Sequence, residues 1–223
     1  MRTKNILILS IFFNCLLIAL YAYRYKNNWF EPGVLKQPFR ISIFNGTLKK
    51  QGLIMFVGDS HTEAFELNEY LENDSVRNRG IWGDGAGGVL NRIDSVAIRK
   101  PSKIFLMIGV NDIMAGRSPE ETFEKVKEIV GKAYLISPST KIYIQSVLPT
   151  SNLIKESNVS SLPKIIRLNS LYKSLAMEKR VIYINLFPSF IQSNALNPKL
   201  TVDGLHLNGN GYRLWSSIIK KYL

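Results

Sequence analysis

The chain is poor in the residues that build metal centres and covalent cross-links: one cysteine, Cys15, and two histidines, His61 and His206, in 223 residues. A lone thiol forms no internal disulfide, and Cys15 lies in an apolar run away from any second ligating side chain. Neither a disulfide scaffold nor a structural zinc site is expected, and no metal or organic cofactor is called for. No internal repeat or low-complexity tract is present, which argues against solenoids and disordered tails. The glycine-rich stretch over residues 80–88 lacks the Gly-Lys-Ser/Thr ending of a nucleotide-triphosphate loop. It also follows a short charged segment rather than a strong strand, so dinucleotide binding is not expected either.

Acidic residues are outnumbered: 17 Asp and Glu stand against 29 Lys and Arg, a formal net charge of +12. The excess is uneven, because residues 1–50 hold eight Lys or Arg and one Glu, +7, leaving +5 on residues 51–223. There is no zinc-finger spacing and no basic stripe interleaved with aromatics, so nucleic acid is not an expected partner. Attraction of the basic amino end to anionic headgroups is sufficient to explain the excess.

Residues 6–23 are apolar, with only Ser10 and Asn14 as clearly polar interruptions, and are flanked by Arg2, Lys4, Arg24 and Lys26. A helix of that length covers about 27 Å, close to the hydrocarbon thickness of a bilayer. Tyr21, Tyr23, Tyr25 and Trp29 would lie at the interface on its far side. No good small-x-small cleavage site follows. Residues 1–30 are therefore expected to be a transmembrane anchor or signal-anchor that displays the remainder outside the cytoplasm, in the cell envelope or periplasm; a cleaved segment would give a secreted protein instead. The charges on the two sides balance and do not fix the orientation.

Residues 31–50, with Pro32-Gly33, Pro38 and Asn45-Gly46, read as a linker or edge element. From residue 51 onward, apolar strands alternate with amphipathic helices. Residues 53–57 and 103–108 are near-continuous apolar runs, the pattern of strands covered on both faces. Further strands are expected over 75–79, 141–147 and 180–185. Helices are expected over 62–71, 88–99, 162–178 and 208–221, and from Ser118-Pro119-Glu120-Glu121, a clear helix start, to residue 135. Residues 151–161 read as a loop or a frayed helical extension. The alternation predicts a single α/β domain over residues 51–223, a three-layer α/β/α sandwich on a central parallel sheet of about five strands. Ser60, Gly83, Asn111 and Thr150 all follow expected strands and so share the carboxyl rim, where sites in such sheets lie.

Ser60 ends an apolar strand and opens a helix, a position that exposes a hydroxyl near free backbone N–H groups. Asp203 precedes His206 by three residues in a glycine-containing loop, a spacing that lets the carboxylate orient one imidazole nitrogen while the other faces a substrate. Serine plus an oriented histidine is the arrangement acyl transfer needs.

Four ordered blocks carry a resemblance: Gly58-Asp59-Ser60, Gly80-Ile81-Trp82-Gly83-Asp84, Gly109-Val110-Asn111-Asp112, and Asp203-Gly204-Leu205-His206. In these the chain resembles the GDSL-type esterases and lipases of the SGNH hydrolase superfamily over residues 51–215, with the flavodoxin-like sandwich of that superfamily. The resemblance implies Ser60 as nucleophile, His206 as base and then acid, and Asp203 as its orienter. It also implies an oxyanion hole from the N–H groups of Ser60 and Gly83 with the Asn111 amide. Asp59 and Asp112 are expected to knit loops through backbone hydrogen bonds. His61 stands where the family usually has an aliphatic residue, and it and Trp82 are candidate substrate contacts. The expected activity is hydrolysis of carboxylic esters on a small molecule, glycan or lipid, short-chain or O-acetyl glycan esters ahead of long lipids, through an acyl-serine. An envelope O-acyltransferase with the same residues and a catalytically silent binding or scaffold protein are the alternatives.

Overall fold

The computed structural model describes residues 13–19, 32–47, 50–151, 161–178 and 180–223. Five strands, β1 (Ile54–Gly58), β2 (Val76–Gly80), β3 (Lys103–Met107), β4 (Lys141–Gln145) and β5 (Val181–Ile184), form one sheet in the order β2-β1-β3-β4-β5. Every neighbouring pair is parallel. This is the flavodoxin-like doubly wound order, and its strand sequence reverses direction between β1 and β3. The expected three-layer sandwich is thus the observed one.

The helices follow from the sequence pattern. α1 (Pro32–Gly46) precedes the sheet, and short α2 (Ser60–Glu63) and α3 (Leu67–Leu71) follow β1. α4 (Ala86–Ala97) follows β2; α5 (Val110–Met114) and α6 (Pro119–Ile136) follow β3. α7 (Leu162–Glu178), α8 (Phe187–Phe190) and α9 (Gly209–Ile219) complete the chain. α6 begins with a capping box in which Ser118 and Glu121 satisfy each other's backbone N–H groups, as its opening residues predict.

Successive strand residues point to opposite layers, and both layers are apolar. Met55, Val57, Ile104, Leu106, Ile142 and Ile144 pack with Val89, Ile93, Val126, Val130, Leu168 and Tyr172 of α4, α6 and α7. On the other face Phe56, Phe105 and Tyr143 stack in a ladder with ring centroids 4.6 and 4.5 Å apart. That ladder packs with Phe65, Phe190, Tyr212 and Trp215. Burial of apolar surface on both faces is the dominant stabilising term, and it leaves only the strand ends for chemistry.

Three expectations are revised. The helix predicted over 62–71 is broken into α2 and α3, because Asn78 of β2 donates its amide to the carbonyls of Thr62, Glu63 and Phe65 and so takes over acceptors a continuous helix would have used. Residues 32–46, read as part of a linker or edge element, are helical and retain Pro38 inside the helix. The membrane anchor is corrected as well: among the described residues no helix is long and apolar enough to cross a membrane. The expectations of a transmembrane segment, a membrane partner and an anchored, extracytoplasmic location are therefore not upheld. Of the expected span only residues 13–19 are described, as helix, and the rest lies outside the described residues, as do residues 152–160.

Candidate active site

Ser60 is the first residue of α2, directly beyond β1, and is buried. Asp59 caps this turn: its Oδ1 accepts from the backbone N–H of His61 at 3.0 Å. Asn111 opens α5 beyond β3, so the two residues flank the point where the sheet order reverses, the usual crevice of this architecture. Asn111 Nδ2 donates to the carbonyl of Asp84 at 2.8 Å, which fixes its amide against the loop after β2. Gly83 sits in that loop at φ +74°, a left-handed conformation that glycine adopts at no steric cost, with open space where a side chain would be.

His206 enters from residues 201–207, the segment before α9. Its Nδ1 lies 2.6 Å from Asp203 Oδ2, while Asp203 Oδ1 accepts from the N–H groups of Leu205 and His206 at 2.9 and 2.7 Å. Burial works against the Asp203 charge, but the His206 hydrogen bond and the two backbone donors outweigh it and hold the carboxyl down at about 2. The segment is closed on itself by Thr201, whose hydroxyl donates to the His206 carbonyl at 2.7 Å. Gly204, at φ +89°, brings its backbone against Ser151, where a Cβ would lie 2.5 Å from the serine Cβ.

Two contacts join the nucleophile turn to this segment. His61 Nε2 lies 2.8 Å from the carbonyl of Leu205. The residue after Ser60 is therefore bonded to the residue before His206. Trp82, 40% exposed, lies flat on the His206 ring with centroids 4.4 Å apart, and its backbone N–H donates to the Glu63 carboxylate. All the residues named from the sequence as candidates thus gather at one rim. His61 differs from the rest, since both its ring nitrogens face protein acceptors rather than solvent.

Two features of this rim were not anticipated. Arg92, buried on α4, donates to Asp84 Oδ2 at 2.9 Å and to the carbonyls of Arg79 and Gly58 at 2.8 and 3.1 Å. It therefore ties the ends of β1 and β2 to the glycine loop. Burial pushes the Asp84 carboxyl up and the Arg92 guanidinium down, and each charge is held by the other. Its position three residues after Val89 and four before Val96, both buried, was the available signal: a charge on the apolar face of an amphipathic helix. The second feature is the pairing of His61 with Asp59, two residues apart in a helix-opening turn. Asp112 knits loops as expected, accepting from the Ala86 N–H at 2.8 Å and from Arg117 at 2.7 Å.

Comparison with known proteins agrees with this geometry. A Streptococcus pneumonia structure described as a candidate platelet activating factor superposes with TM-score 0.79 at 27% identity, covering 91% of this chain and 98% of that one. A GDSL-like lipase from Bacteroides thetaiotaomicron superposes with TM-score 0.74 at 23% identity, over 82% of this chain and 95% of that one, and shares the fold. No curated protein matches the chain. The family described as GDSL-like Lipase/Acylhydrolase matches residues 56–214. With that match spanning most of the sequence, the chain belongs to the GDSL-like lipase/acylhydrolase family of the SGNH hydrolase superfamily and is a serine ester hydrolase.

Proposed function

We propose that residues 51–223 are the hydrolase unit and cleave a carboxylic ester through a covalent acyl-Ser60. The observation that carries this reading is the 2.6 Å contact between Asp203 Oδ2 and His206 Nδ1. An ionised carboxylate only accepts, so Nδ1 carries the proton and Nε2 keeps the lone pair of a base. In the first half-reaction Nε2 takes the Ser60 proton while Oγ forms a bond to the ester carbonyl carbon. The carbonyl electron pair moves onto oxygen, where the N–H groups of Ser60 and Gly83 and the Asn111 amide receive it. Collapse of the tetrahedral species returns that pair, breaks the bond to the alcohol and passes the His206 proton to the leaving oxygen. Water then repeats the sequence on the acyl-enzyme and frees the acid.

The preferred substrates are short-chain or O-acetyl glycan esters rather than long lipids. What supports this is Trp82, whose partly exposed indole stands beside His206 and offers a flat apolar surface of the kind sugar rings stack on. A panel of acyl chain lengths and acetylated sugars, run with the wild type and Ser60→Ala, tests both parts. Acetyl esters should be cleaved fastest and Ser60→Ala should be inert. Preference for long-chain esters would overturn the substrate assignment, and turnover by Ser60→Ala would overturn the mechanism.

A further inference from the structure

The residue after Ser60 is a histidine whose ring the reaction above does not use. His61 is 2% exposed. Its Nε2 lies 2.8 Å from the Leu205 carbonyl and its Nδ1 3.3 Å from Asp59 Oδ1. A carbonyl oxygen only accepts, so Nε2 carries a proton whatever the charge of the ring, and the tautomer is set by the fold. The carboxylate at Nδ1 favours a second proton. Burial opposes that charge, but the Asp59 hydrogen bond and charge, the Leu205 carbonyl and the Asp203 charge together raise the His61 pKa above its ordinary value.

The groups around the ring leave it no other task. From its own turn it meets Asp59; from residues 201–207 it meets Asp203 and His206, the latter with ring centroids 6.1 Å away. Tyr212 of α9 donates its hydroxyl to the His61 carbonyl at 3.0 Å. β1 has no ionisable side chain, and the arginines of β2 are engaged elsewhere, Arg77 with the carbonyls of Asp74 and Val76 and Arg79 with Asn78 and Thr47. The ring is therefore bonded at both ends within the protein, across 144 positions of sequence.

The consequence lies in what those ends carry. His61 follows the serine and Leu205 precedes the base, so one hydrogen bond joins the two peptides whose relative position sets proton transfer. We infer that His61 is a positioning residue, a buried staple from Nε2 to the Leu205 carbonyl that holds the Asp203–His206 segment in register with the Ser60 turn. The inference rests on the reading of Ser60 and His206 given above. An aliphatic side chain could fill this space but could not make the bond. The side chain of Asp203 is about half exposed, so the segment has little burial of its own on that side and gains its placement from such ties.

The test compares His61→Leu with His61→Gln, whose amide keeps a donor directed along the chain. His61→Leu is expected to lower kcat by about ten- to a hundredfold with a much smaller change in KM, the size of loss a misplacement near 1 Å causes. His61→Gln should recover most of it. Two readouts need no turnover: in the wild type, nitrogen NMR should show His61 Nε2 protonated, as its bond to the Leu205 carbonyl requires, and hydrogen exchange at the Leu205 and His206 amides should quicken in His61→Leu but not in His61→Gln. Unchanged kcat and exchange in His61→Leu overturn the staple. So does equal damage in both variants, which would assign the site to packing. If the wild type proves inert toward esters while the exchange difference persists, the esterase mechanism fails and the staple stands.

Discussion

Trp82 and His206 lie face to face, ring centroids 4.4 Å apart and planes 21° apart. An imidazole that becomes positive during turnover would do so against a π surface, an interaction worth about 0.5–1 kcal/mol at an exposed site. Trp82→Ala is expected to reduce kcat by about two- to fivefold on that account, with an added rise in KM for acetylated sugars if the indole also seats substrate. Trp82→Phe should lie between. Steady-state kinetics on a small aryl acetate and on an acetylated sugar separate the two effects, and an unchanged kcat in Trp82→Ala would remove the stacking argument.

Asn111 supplies an uncharged donor at the rim, with one N–H committed to the Asp84 carbonyl at 2.8 Å. Asn111→Ala should lower kcat by on the order of a hundred- to a thousandfold, the cost of one oxyanion donor. Stability should fall by only about 1 kcal/mol, the worth of a typical hydrogen bond. Kinetics and urea denaturation on the same preparation check the split. A comparable loss in both would make Asn111 structural.

Arg92 should behave in the opposite way. It is buried, and removing it strands Asp84 without its charge partner and leaves the Gly58 and Arg79 carbonyls short of a donor. Arg92→Met is expected to cost about 3–5 kcal/mol of stability, the usual penalty for breaking one side of a buried pair. Urea unfolding measures it, and a loss below about 1 kcal/mol would show that the clamp is dispensable.

The two aspartate–histidine pairs respond to pH with opposite sign. The Asp203 carboxyl is held down at about 2, so its contribution is present above its unfolded value and lost only as pH falls toward 2. The Asp203–His206 contact therefore keeps an ionised carboxylate throughout the neutral and mildly acidic range. His61 is raised above 6.5, so its contribution is complete below 6.5 and is lost as pH rises through the folded value. The stability difference between the wild type and His61→Leu should accordingly shrink as pH rises above 6.5 through the folded value. Denaturant titrations across that range check it, and a difference that grows with pH would contradict the charged ring.

The sheet was legible because its strands are covered on both faces. Residues 53–57 and 104–108 are apolar without alternation, and both lie at the centre of the sandwich. The rim was legible because Ser60, Gly83 and Asn111 each follow a strand, and because Asp203 precedes His206 by three residues. The relations that depend on side chains from other elements were not. Nothing in residues 62–71 announces that Asn78 will take their carbonyls and split the helix. The Leu205 carbonyl that occupies His61 arrives from the far end of the chain. Hydropathy misled in the other direction: a run of apolar residues suggested a membrane anchor, while no described helix is long and apolar enough to form one.

Ser60 as the acylated residue is the centre of the account, and covalent labelling tests it most directly. The full chain treated with a fluorophosphonate should gain one phosphonyl group by intact mass, peptide mapping should locate it on Ser60, and folded Ser60→Ala should gain none. Labelling that persists in Ser60→Ala, or none at all in the folded wild type, would contradict the mechanism.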